Sequence, residues 1–94
     1  MFRSGMNKGF SMTFENGFTI SVQFGEGSYS QNKYNSSKLS ILESKDAEIA
    51  IWDKDDKWFD FGNDRVKGWV SPNEVADWID KVSKATDIND IKNT

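Results

Sequence analysis

The sequence predicts an α+β fold: an antiparallel β-meander of four to five strands with one C-terminal amphipathic helix packed on one face. Three observations carry this. Apolar and polar residues alternate with period two through Phe10–Phe14 and Phe18–Phe24, the pattern of half-buried strands. Most links between the strand-like runs are short and rich in Asn, Asp and Gly, so successive runs join as antiparallel hairpins. One stretch alone, after Ser71, switches to helical spacing. The 94 residues fit a single domain, 1–94. A chain this short buries only about two thirds of its unfolded surface, so each large apolar side chain matters.

The first element is a hairpin over 9–24. A two-residue Asn16-Gly17 loop would set Phe14 opposite Thr19 and send the two apolar rows to opposite faces. A three-residue loop, Glu15-Asn16-Gly17 with Gly17 left-handed, pairs Phe14 with Phe18, Met12 with Ile20 and Phe10 with Val22. Both rows then share one face, which a single-sided core requires, so the longer loop is expected.

Residues 25–45 form a long polar loop holding Tyr29 and Tyr34, with Leu39, Ile41 and Leu42 near its end as a short edge strand or a pin to the core. Loops of this length are usually functional or mobile. Strands are expected within 47–70: Ala47–Trp52, a return at Trp58–Phe61 after an Asp-rich turn, and Val66–Val70. The helix, 72–85, opens on Ser71-Pro72-Asn73-Glu74, a capping Ser, a Pro at the first helical position and a Glu three residues after the cap. Val75, Trp78, Ile79 and Val82 follow as one apolar stripe. The polar tail, 86–94, is expected to fray.

Composition excludes several chemistries. With no Cys there is no disulfide and no thiolate ligand, and with no His the usual general base and commonest metal ligand are missing. No catalytic residue, metal site or cofactor is therefore assigned, and the expectation is a protein that is not an enzyme. Gly25-Glu26-Gly27 lacks the third glycine of a dinucleotide fingerprint. The Asp53-Lys54-Asp55-Asp56 turn lacks the central Gly and distal Glu of a calcium loop. The net charge of −3 does not favour a nucleic-acid partner. The imbalance is regional, +2 over residues 1–45 and −5 over 46–94, which reads first as a solvated acidic surface and, more sharply, as an acidic face for a basic partner. No apolar run is long enough for a membrane span or a secretory signal, which leads to an expected cytoplasmic location.

The aromatic residues are the remaining candidates. Trp52, Trp58 and Trp69 fall in three successive strand candidates. If Ile49 and Ile51 face the helix, Trp52 faces away, and the same alternation sets Trp69 with Lys67 opposite Val66 and Val70. Trp52, Trp69 and Lys67, with Tyr29 and Tyr34 from the loop, are thus the candidate binding residues, as exposed aromatic patches commonly engage proteins. The alternative is that these rings cover a second small core.

Gly9-Phe10, the run Met12-Thr13-Phe14-x-Asn16-Gly17-Phe18-Thr19-Ile20-Ser21-Val22-Gln23-Phe24-Gly25, the Gly-x-Gly-x-Tyr at 25–29, Ala47-Glu48-Ile49-Ala50-Ile51-Trp52 and Val70-Ser71-Pro72-x-Glu74-Val75 together resemble small proteins of unknown function from tailed bacteriophages, marine ones among them. The resemblance spans most of 9–82. Ser30 stands where such proteins often carry Cys. It implies an infected host cell and a small accessory role engaging a host or phage protein, and it supplies no active-site residue. The expected function is a protein-binding module. The alternatives are a ligand-binding or catalytic domain using the Gly25–Lys45 loop, with Glu26 and Tyr29 among its polar groups, and a structural homo-oligomer or virion component.

Overall fold

The computed structural model describes residues 1–5, 8–34 and 43–91. Five strands, β1 (Phe2–Gly5), β2 (Gly9–Thr13), β3 (Thr19–Gln23), β4 (Ala47–Trp52) and β5 (Lys67–Val70), form one sheet in the order of the chain. Every neighbouring pair is antiparallel, so the sheet is a meander. One α-helix, α1 (Pro72–Ser83), packs on it. The fold is α+β, as the sequence predicts.

The β2–β3 hairpin takes the longer loop. Met12 pairs with Ile20 and Phe10 with Val22. Phe14 N–H donates to the Phe18 carbonyl at 2.8 Å, and Gly17 is left-handed at φ 90°. Across β3–β4, Ile20 meets Ile51 and Val22 meets Ile49. These rows, with Val70 opposite Ala47, make the face on which α1 lies. Trp78 and Val82 of α1 are buried there, and Val75 and Ile79 are partly buried beside them. Trp78 meets Phe61 edge-on with ring centres 5.3 Å apart, and Phe59 at 6.0 Å. The capping box forms: Glu74 N–H donates to Ser71 Oγ at 3.2 Å and Ser71 N–H to Glu74 Oε1 at 3.1 Å. The Ser71 backbone N–H first, and then the Ser71 side chain, hold the Glu74 carboxyl below the usual glutamate range, and Lys67 adds to the effect.

Four expectations are corrected. A fifth strand, β1, lies at the N-terminus, where Phe2-Arg3-Ser4-Gly5 offers too little alternation to read as one. Trp58–Phe61 is not a strand of the sheet. It makes only a bridge from Trp58 to Trp52, because the same edge of β4 is taken by β5 at Ala47 and Ile49. The tail does not fray through residue 91: Asp87 and Asp90 cap a short 3-10 turn, Ile88–Asp90, and Ile88 and Ile91 are buried in the core. Asn16 does more than shape a turn. Its amide donates to the carbonyls of Val82 at 2.9 Å and Ala85 at 2.8 Å, tying the hairpin loop to the end of α1.

Leu39, Ile41 and Leu42, read as an edge strand or a pin, lie outside the described residues. The first part of their loop is tightly organised. Asn32 is buried, and its amide donates to the carbonyls of Phe24 at 2.8 Å and Glu43 at 3.0 Å, drawing the two ends of the loop together. Ser28 and Ser30, also buried, bond each other at 2.9 Å. Among the described residues, no helix is long and apolar enough to cross a membrane.

Candidate functional site

Strand alternation breaks at β5. Ala47 pairs with Val70 and Ile49 with Lys67, so the single residue Glu48 faces two, Gly68 and Trp69. This is a β-bulge, a device that re-aims a side chain at a sheet edge. Trp69 takes the left-handed conformation, φ 57°. For a bulky L-residue that conformation costs about 1–2 kcal/mol. The indole is nonetheless 56% exposed.

The loop holds the bulge in place. Trp69 N–H donates to the Tyr29 carbonyl at 2.8 Å, and Tyr29 N–H donates to Glu48 Oε2 at 2.9 Å. Tyr29 therefore covers part of the outer edge of β5 with its own backbone. Position 68 has to be glycine for this approach, since a Cβ there would lie 2.5 Å from the Tyr29 Cβ. Lys33 Nζ sits 4.6 Å from the Tyr29 ring centre and 5.2 Å from that of Tyr34, a cation–π contact with both. Tyr29 is 41% exposed and Tyr34 is 86% exposed.

Tyr29 is thus the hub of a corner that includes Tyr34 and Trp69. The other two sequence candidates fall elsewhere. Lys67 does not share a face with Trp69, because the inserted residue puts it on the same side as Val70, where it faces Glu74 of α1. Trp52 does point away from the helix, opposite Thr19, but it is only half-exposed. Its ring stacks on Trp58 with centres 4.8 Å apart and planes 27° apart. Lys33 is one of the three lysines, with Lys38 and Lys45, that the sequence offers beside the loop tyrosines, whereas sequence reasoning missed Glu48 and Gly68. A glycine inside a strand pattern is a usable signal for a bulge or a close backbone approach.

A second feature is a groove of about 540 Å³ between the sheet and the start of α1. Phe10, Val22, Phe24, Val70 and Val75 line it, with Glu43, Ser44 and Asp46 at its polar side. Glu26 and Tyr29, expected as the polar groups of a loop-covered site, do not line it. The Asp-rich turn is closed on itself: Asp53 Oδ1 accepts from the N–H groups of Asp55 and Lys57, both at 2.9 Å. Among the described residues, no group of three acidic side chains is placed to hold a metal ion.

The corner presents rings, one ammonium group and a fixed backbone. No family model, curated protein or solved structure matches the chain.

Proposed function

We propose that this chain is a non-enzymatic protein-binding module, a small phage-type accessory protein that engages a host or phage protein through the Tyr29–Trp69 corner. The observation that carries the reading is Trp69, held in a strained conformation and still exposed. Strained backbone of this kind clusters at ligand clamps and switch regions. Exposed Tyr and Trp are among the residue types enriched at protein interfaces and their hot spots. The setting that fits this reading is the cytoplasm of an infected cell.

The test is affinity capture from bacterial and phage-infected lysates, followed by titration of the purified partner against the chain. Trp69→Gly relieves the strain and removes the ring. It should leave the fold intact and weaken binding at least about tenfold. Tyr34→Ala should weaken it without any effect on stability. Binding unchanged in both variants would rule out the corner.

A second reading is a small-molecule site in the groove beside Phe10, Phe24 and Val75, favoured by its apolar lining with three polar residues at one side. A ligand whose binding is lost in Val75→Trp, which fills the groove, would shift the assignment there.

A further inference from the structure

The Asp56–Arg65 segment makes a second polar concavity that takes no part in the corner. It is an open groove of about 700 Å³ lined by Trp58, Asp60, Asn63, Asp64 and Arg65, with Asp56 and Lys57 at its end. We propose that this groove binds a neutral pyranose ring, as a free saccharide or as a unit of a longer glycan.

The argument starts with the platform. The Trp58 indole rests on Trp52, which fixes its plane, while the residue keeps 38% of its surface exposed. A pyranose is amphipathic in the complementary sense, since one face is a patch of C–H groups and its rim is hydroxyl. The C–H face packs on an aromatic ring, and the rim needs donors and acceptors at fixed points. A pre-stacked indole loses little freedom on binding.

The rim partners are present. Asp60 Oδ1 accepts from Gly62 N–H at 2.7 Å, and Asp64 Oδ1 accepts from Val66 N–H at 3.1 Å. One oxygen of each carboxylate is tied to the backbone, which orients the other for a hydroxyl donor. Asn63 offers both an acceptor and donors, and Arg65 offers donors in a fork. Arg65 makes no hydrogen bond or ion pair among the described residues.

Charge selects against other flat ligands. Three carboxylates against two cations leave the lining one negative charge in excess. Nucleotides and sugar phosphates are therefore disfavoured, and a neutral polyol that both donates and accepts hydrogen bonds is matched.

The test is an NMR titration of the tryptophan indole N–H signals with maltotriose, cellotriose and triacetylchitotriose, each to about 20 mM, with millimolar affinity expected for at least one. The Trp58 signal should move and that of Trp69 should not. Trp58→Ala should abolish the response, and Asp60→Asn, which keeps the shape of the turn, should weaken it at least about fivefold. A glycan carrying the responsive sugar should give the same shifts at lower concentration if the ring is met within a chain. No movement with any of the three sugars, binding that survives Trp58→Ala, or a stronger response to a mononucleotide or a short peptide would each overturn the proposal.

Discussion

The helix-covered face of the sheet and the bulged edge at β5 are built by opposite rules. On the covered face every local signal agrees. Period-two strands, a left-handed glycine in the hairpin loop, a capping box and a helical stripe all place apolar side chains in one core. At the edge local rules are broken together: a tryptophan takes a conformation suited to glycine, alternation slips by one residue, and aromatic rings stay in water. Agreement across levels marks the part of a chain that specifies the fold, and departures from it mark the part that does something else.

The sharpest way to break this comparison is at Trp78. Trp78→Ala removes the ring that joins α1 to Phe59 and Phe61, and should cost about 3–5 kcal/mol in chemical denaturation. A loss well under 1 kcal/mol, by the same principle, would mean that the covered face is not the core. Asn16→Ala comes next, leaving the carbonyls of Val82 and Ala85 without that donor. The expected loss is about 1–3 kcal/mol, read from the denaturation midpoint. The edge should respond with the opposite sign. Trp69→Gly releases the strain and should leave stability unchanged or raise it by up to about 1 kcal/mol. A clear loss would show that the indole contributes to the core after all.

The smallest effect concerns acid. The folded state holds the Glu74 carboxyl below its unfolded value through the bonds with Ser71. Its contribution is therefore complete above the unfolded glutamate range, near about pH 4.3, and is lost as pH falls through the lower folded value. Glu74→Gln should flatten that part of a stability–pH curve by lowering stability at neutral pH toward the acid-side value.

How far each region can be read from sequence follows the same division. The hairpin register is legible because both apolar rows have to reach one face, and the helix start is legible because Ser71, Pro72 and Glu74 each have a single local role. β1 is not, since only Phe2 in it is large and apolar. Trp58–Phe61 reads as a strand because aromatic residues favour strands, yet pairing depends on which segment takes the edge of β4. The placement of Lys67 beside Trp69 fails for one reason: alternation assumes an unbroken ladder, and the bulge at Gly68-Trp69 inserts a residue. Of the candidate site, Tyr29, Tyr34 and Trp69 were visible as aromatic residues in polar surroundings. Their meeting was not, because it rests on backbone bonds between segments about 40 positions apart.

The bonds from Asn16 to the end of α1 also bear on time. They span 66 to 69 positions of sequence, whereas the meander pairs only strands that follow one another. Local pairs close early in folding, and contacts across most of the chain close late. The Asn16 amide finds its acceptors only once α1 has docked, so it contributes little to the folding barrier and much to the unfolding barrier. The side chain at the tip of the hairpin then acts as a latch on the lifetime of the native state, and Asn16→Ala should speed unfolding while leaving the folding rate nearly unchanged.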